Sequence, residues 1–402
     1  MATVSAQGTT FNLPNYHGEL FVITPTETPF LSAIGGLGGA KMTSARVFEW
    51  QTVDRRASSA NNVALEGAAA PTAQERSRSN IDNVTEIHHS AINISYTRLA
   101  AVGQFAGANI AAQSDDSIIN ELTFQTSAEL ESMAVDIEQS FLTGTYANPA
   151  TNASPRQTQG ILGAIATGPN VYDNGTPYGS ATIAAATGIF TTSTQSPALT
   201  AGQRVTLGPI TTTTGVSEGV NYYVLGASLS TTTFTLSATP DGTALTLTGN
   251  GSTTGVYAAG ATAKATIDGA LALAYENGAK LPDATTVLMM GPQAKVNLSN
   301  AYALPALNWP TQSRTIGGVA MQTLVTDFGT FGVMVNRWMP VGTIAVIDLS
   351  VCYPVFLNIP DKGLLFAEEL ARTGSNRQFQ LYGEIGLEYG PPTYHALISG
   401  LL

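Results

Sequence analysis

The stretch Gln113–Gly144 constrains the chain most. From Ser114 it reads SDDSIINELTFQTSAELESMAVDIEQSFLTG, and Ile119, Leu122, Leu130, Met133, Ile137 and Phe141 recur at the spacing of one helix face. Ser114 or Asp115 can cap its start, and Asp115 and Asp116 suit the positive end of the helix dipole. Gly144 is placed to stop it in a left-handed conformation. At ~1.5 Å per residue the helix would be roughly 40 Å long, more than a single small core needs.

Its charge is one-sided. Asp115, Asp116, Glu121, Glu129, Glu131, Asp136 and Glu138 are all acidic, and no Lys or Arg falls between Arg98 and Arg156. Such a helix lacks the i,i+4 ion pairs that support an exposed face. Two readings stand: a solvated acidic face, or one completed by basic groups from elsewhere, another subunit among them.

The 402 residues exceed what one core organises, so two or more domains are expected. Hydrophobic residues at 44% make the chain globular, but only 11% are charged, and Thr, Ser, Asn, Gln and 40 Gly carry the polarity. A surface so weakly charged fits a protein that buries itself against copies of itself. The net charge of −11 argues against gripping nucleic acid by its phosphates, though not against enclosing it. The single Cys352 excludes an intrachain disulfide framework. The opening MATVSAQGTTFNLPNYHGEL has no secretory pattern, and no run reaches the ~18 apolar residues of a membrane span. A soluble chain made in the cytoplasm is expected.

Residues 1–43 read as an arm with too little apolar surface to fold alone, with Thr28 capping a short helix that begins at Pro29. The Gly35–Gly39 run matches neither phosphate-loop pattern. Residues 44–110 read as a long two-stranded excursion with strands at Ala45–Val53 and from about Ile81 to Thr97. It carries Arg46, Arg55, Arg56, Arg76, Arg78 and Arg98, half of the twelve arginines. An isolated two-stranded projection is marginal, so a neighbour should hold it. His88 and His89 are adjacent on a strand, point opposite ways and cannot easily share a metal.

From about Tyr178 to Gly260 the composition shifts to Thr, Gly, Ser and Ala. Short strands are expected at Arg204–Leu207, Asn221–Leu225, Phe234–Ser237 and Ala244–Thr248, separated by turns such as Pro240-Asp241-Gly242. This is a small all-β module inserted into a host domain. Host texture returns with a helix at Thr266–Gly278, a strand at Thr285–Met290 and a helix at Pro292–Tyr302. Strands follow at Met321–Val325, Gly332–Asn336, Ile344–Asp348, Val351–Asn358, Arg377–Leu387 and His395–Leu402.

No G-x-S-x-G, H-E-x-x-H, C-x-x-C or Walker A pattern occurs. His17, His88, His89 and His395 lie in arm, strand and terminus, and Glu368-Glu369 and Asp115-Asp116 have no base or nucleophile beside them. No catalytic residue, cofactor site or metal site is read from the sequence.

The order arm, long hairpin, acidic helix, α/β domain, returning strands resembles the major capsid proteins of tailed bacteriophages, the Hong Kong 97 type fold. TPTETPFLSAIGG with FEWQTVD, NVALEGA with NVTEIHHSAINIS, RQTQGILGAI, and ARTGSNRQFQLYGEIGLEYGPPTYHALISGL carry the resemblance, over most of residues 15–165 and 265–402. It implies an α+β fold with an N-terminal arm at 1–43 and an E-loop at 44–110. A P-domain built on a spine helix would occupy 111–145 and 350–392. An A-domain would occupy 146–177, 263–349 and 393–402, with the inserted β domain at 178–262.

The implied function is a shell protein that self-assembles as hexamers and pentamers around double-stranded DNA, without sequence-specific binding and without membrane. Assembly would take place in the host bacterial cytoplasm. Arg55, Arg56, Arg76 and Arg78 of the E-loop would meet Glu121, Glu129, Glu131, Asp136 and Glu138 of a neighbour's spine helix. The chain's five lysines are Lys41, Lys264, Lys280, Lys295 and Lys362, none in the E-loop, so no isopeptide crosslink of the kind known in this fold is expected. The chain starts almost directly in the arm, so a separate scaffolding protein is expected beside the portal. The alternatives are an encapsulin-like nanocompartment and, from another class, an adhesin built around the β module.

Overall fold

The computed structural model describes residues 24–38, 41–54, 63–70, 72, 75–100, 121–178, 180–192, 195, 198–217, 220–253, 255–260, 262–281, 285–302, 313–316, 319–371 and 374–401. The chain divides into two compact units. One comprises Met1–Glu27, Ile87–Asp136 and Ile359–Glu384, and the other Thr28–Glu86, Ile137–Asn358 and Ile385–Leu402.

In the first unit the strand Leu365–Glu369 runs antiparallel to Asn376–Glu388, with Leu365 opposite Gly383 and Glu369 opposite Phe379. Glu86–Ser95 also pairs with Asn376–Glu388. The strand alternation puts Ile92 and Ile94 inside, and Met133, Val135 and Leu381 are buried in the same unit. The opposite set of that strand is exposed. There the His89 ring stands edge-on to Tyr382 at 5.7 Å, and Tyr382 lies 5.7 Å from Phe366.

The second unit holds a seven-stranded mixed sheet, in the order Ser313–Ile316, Val319–Thr326, Gly329–Val335, Thr286–Met290, Ile344–Asp348, Ala396–Ser399, Val171–Asp173. Every residue of Thr286–Met290 and Ile344–Asp348 is buried, which is why Val287–Met290 and Ile344–Ile347 read as unbroken apolar runs rather than alternating ones. The helix Lys264–Glu276 lays Ile267, Ala270, Leu271 and Ala274 into the same core as Leu288, Phe331, Val346 and Ile398. Helix Pro292–Tyr302 adds Ala294 and Leu298.

Residues 176–258 form a nine-stranded antiparallel sheet around a core of their own, including Phe190, Val205, Leu207, Val224, Phe234, Leu236 and Val256. Phe190 and Phe234 stack at 5.3 Å. Arg204–Leu207, Asn221–Leu225 and Thr233–Ser237 are strands. Ala244–Thr248, expected as one, makes only the isolated bridges Ser237↔Ala244 and Thr214↔Thr248. In that stretch Leu247 alone is buried, too little to dock a full strand. The sheet ends in the two-residue strands Ile210–Thr211 and Thr176–Pro177, edges too short to recruit another chain.

His395, in the terminal segment, is fully buried. Its Nδ1 accepts from the Asp348 backbone N–H at 3.2 Å and its Nε2 lies 2.6 Å from the Tyr389 carbonyl, so the neutral Nε2–H tautomer fits. Burial holds its pKa below the usual value, against the pull of the Tyr389 carbonyl and Asp348. Well above about pH 6.5 both folded and unfolded chains are neutral here. Below it the unfolded chain takes up the proton first, so stability falls as pH drops toward the folded pKa. Urea unfolding at pH 7.5 and 5.5 should show this loss, and His395→Asn should reduce the slope.

Candidate functional site

The hairpin and the long helix carry the residues that the sequence singled out. Val47–Val53 and Arg78–Val84 form a two-stranded antiparallel sheet in full register, from Val47 opposite Val84 to Val53 opposite Arg78. At its inner end Trp50 stands edge-on to Tyr389 at 4.9 Å, and Tyr146 Oη donates to Asp82 at 2.7 Å. Its outer end is in water. Val53 is 57% exposed, and Val63 and Leu65, in the segment between the strands, are 85% and 88% exposed. Arg76 and Arg78 are exposed there too, Arg78 Nη1 donating to Gln51 at 3.4 Å. Arg55 and Arg56 lie outside the described residues.

The helix spans Glu121–Thr143, and 113–120 lie outside the described residues. Its acids separate by burial. Glu131 and Asp136 are exposed, and Glu129 is half-buried and accepts from Ser90 Oγ of its own chain. Glu121 belongs to the helix, without a described side chain. Glu138 is a different residue from the one expected. It is fully buried, and one carboxylate oxygen accepts from Phe30 N–H at 2.9 Å while the other accepts from Leu31 N–H at 2.6 Å. Asn336 Nδ2 adds a third donor at 2.6 Å. The reason is angular: Ile137, Glu138, Phe141 and Leu142 are all fully buried, an arc wide enough to take position 138 inside.

Glu138 thereby replaces the expected cap. Thr28 makes no side-chain capping bond to the helix Pro29–Ala33. Pro29 has no N–H, Phe30 and Leu31 donate to Glu138, and Ser32 N–H donates to the Thr28 carbonyl at 2.9 Å. The free donors and the dipole of the helix start are met by a carboxylate 108 residues away. Burial pushes the Glu138 pKa up, and the three donors pull against it.

Gly144 ends the long helix for a reason other than the one expected. It is not among the residues of positive φ. Backbones meet there: Gly160 N–H donates to the Gly144 carbonyl at 2.8 Å, and a Cβ on Gly144 would lie 2.6 Å from the Thr158 carbonyl oxygen.

Glu368 is paired with Lys362 at 2.5 Å and Glu369 with Arg377 at 2.9 Å, surface ion pairs screened by solvent. Cys352 is buried, which pushes its thiol well above the ordinary range, and its Sγ donates to the Asp348 carbonyl. Among the described residues no group of three or more His, Cys, Asp or Glu could hold a metal ion. No helix among them is long and apolar enough to cross a membrane.

The family model of the SU10 major capsid protein matches residues 3–402. The chain belongs to the SU10 major capsid protein family. No curated relative matches it. Among solved structures it is similar to the capsid asymmetric unit of cyanophage A-1(L), at 10% identity over 100% of this chain and 99% of that chain, with a TM-score of 0.55. It is also similar to the capsid of the native GTA particle, at 12% identity over 100% and 99%, with a TM-score of 0.48. For the holo-SrpI encapsulin complex from Synechococcus elongatus PCC 7942 the identity is 9% over 98% and 93%, with a TM-score of 0.47.

The α+β fold is the Hong Kong 97 type capsid fold, and this SU10-type protein is a shell subunit of the virion capsid that assembles with copies of itself.

Proposed function

We propose that this SU10-type subunit forms hexamers and pentamers of an icosahedral shell that encloses the double-stranded DNA of a tailed phage. The observation that carries the reading is the two-stranded projection, whose outer end leaves Val53, Val63, Leu65, Arg76 and Arg78 in water. A two-stranded hairpin is marginal by itself, and these residues gain burial against a neighbouring copy. The hairpin acts as the E-loop of residues 44–110, and the helix as the spine of a P-domain at 111–145 and 350–392. Segments 146–177, 263–349 and 393–402 act as the A-domain, and 178–262 as an inserted β domain.

Glu121, Glu129, Glu131 and Asp136 remain the acceptors for Arg55, Arg56, Arg76 and Arg78. Glu138 drops out, because its carboxylate is spent on the arm helix. Each exposed pair contributes ~0–1 kcal/mol, and repetition over the shell supplies the rest. With a net charge of −11 the protein encloses DNA rather than gripping its phosphates. The subunit is a structural protein and not an enzyme. It assembles in the host cytoplasm on a separate scaffolding protein and around a portal.

Reversing Arg55, Arg56, Arg76 and Arg78 to Glu should abolish closed shells in electron micrographs while the subunit still folds. Normal shells from that variant would refute the E-loop pairing. Co-purified cargo protein in place of DNA would point to the encapsulin-like compartment.

A further inference from the structure

The two strands of the projection leave the subunit beside a buried amide that satisfies every one of its hydrogen-bonding positions. Asn83 is fully buried. Its Nδ2 donates to the Leu387 carbonyl at 2.7 Å and to the Gln159 carbonyl at 3.2 Å. Its Oδ1 accepts from the Gln159 N–H at 2.8 Å and from the Val84 N–H at 2.9 Å. Two donors and one acceptor oxygen thus tie the strand of Asn83 to two segments, 76 and 304 residues away in sequence.

Further bonds close the same joint. Thr158 N–H donates to Glu86 at 3.1 Å, Leu387 N–H donates to Thr158 Oγ1 at 3.2 Å, and Thr85 N–H donates to the Arg46 carbonyl at 2.8 Å. Gly386 lets the hairpin seat closely, since a Cβ there would lie 2.7 Å from the Phe48 ring and 2.9 Å from the Val84 carbonyl oxygen.

We infer that Asn83 is a positioning residue for shell assembly: it fixes the direction in which the hairpin leaves the subunit, and with it the curvature of the shell. The inference rests on the reading of the hairpin as the element that lies on a neighbour. A buried amide contributes little net stability compared with an apolar residue, but it accepts one geometry where an apolar contact would tolerate several. That geometry is amplified by length. A seven-residue strand is ~20 Å long, so a rotation of about 5° at the joint moves its far end by about 2 Å. Packed contacts are lost over less than 1 Å or so, and docking on a neighbour would fail or find another register.

The test compares shell diameters in electron micrographs for Asn83→Ala and Asn83→Asp with those of the wild type, expressed under the conditions in which the wild type closes. Asn83→Asp keeps the acceptor for Gln159 and Val84 and loses both donors, so it carries the test if Asn83→Ala does not fold. Amide exchange at Gln159 should accelerate about tenfold in Asn83→Ala, the effect of losing a buried hydrogen bond. The shells should spread into several diameters or stay open.

Leu271→Ala, a destabilising change in the core of the seven-stranded sheet, should keep the wild-type diameter, which separates positioning from general loss of stability. Uniform wild-type shells from both Asn83 variants would overturn the inference. Shortening residues 54–77 to a turn separates the two claims. If that variant also closes normally, the hairpin reading itself fails; if it does not close while both Asn83 variants do, only the role of Asn83 fails.

Discussion

Glu138→Ala should release the arm helix from the subunit and cost about 3 kcal/mol, the order expected when buried donors lose their acceptor. The substitution strands three donors at once: the Phe30 and Leu31 backbone N–H groups and Asn336 Nδ2. Relief of the buried carboxylate's desolvation offsets part of the loss, which keeps the figure below the sum of three separate bonds. Against a typical total of 5–15 kcal/mol this is a large fraction.

Glu138→Gln should recover at most half, because one amide oxygen replaces two carboxylate oxygens and its NH2 faces a donor. Phe30, Leu31, Ala33 and Ile34 are all buried, so arm release would also expose an apolar plug. Urea unfolding gives the cost, and amide exchange at Phe30 and Leu31 locates it. Unchanged protection of those two amides in Glu138→Ala would show that the carboxylate does not hold the arm.

Gly160→Ala should be at least as damaging. Gly160 has an ordinary extended backbone, φ −76° and ψ 157°, so no conformational strain is involved. Space is the constraint: the added Cβ would lie 2.6 Å from the Gly144 nitrogen and 2.8 Å from the Leu142 carbonyl oxygen. Both obstacles are backbone at the end of the long helix, where Phe141 and Leu142 are fully buried, so neither can swing aside as a side chain would. Overpacking costs ~1–3 kcal/mol where side chains relax, and about 3 kcal/mol or more is expected here. Gly38→Ala is the matched control, since a Cβ there meets nothing within 4 Å. Thermal unfolding of the two variants should separate them by many degrees, and equal midpoints would contradict the close approach.

Regular elements of the host were legible because their burial is written in local pattern. Pro292–Tyr302 and Ile344–Asp348 follow from an apolar run or face bounded by turn residues. Arg204–Leu207 and Asn221–Leu225 follow from alternation between turn signals. Ala181–Ala184 and Ile189–Thr192 did not stand out, because ATIAAATGIFTT is poor in large apolar residues and draws its stability from cross-strand partners. Leu365–Glu369 was hidden by its two glutamates, each held by a cation brought from another position.

The roles of Glu138 and Asn83 were not legible at all. Glu138 stands in an acidic series, and only the depth of Ile137 and Phe141 on either side hints that it turns inward. Its partners are Phe30, Leu31 and Asn336, and those of Asn83 are Gln159 and Leu387, so both roles arise only once distant segments meet. The family resemblance carried the functional reading where single motifs could not.

The central claim, a subunit that closes with its own copies into a shell, is tested most directly by electron microscopy of the purified protein with light scattering for size. Closed shells of uniform diameter are expected, with double-stranded DNA inside those taken from particles. A monodisperse monomer that stays single even when co-expressed with the scaffolding protein proposed for it would contradict it.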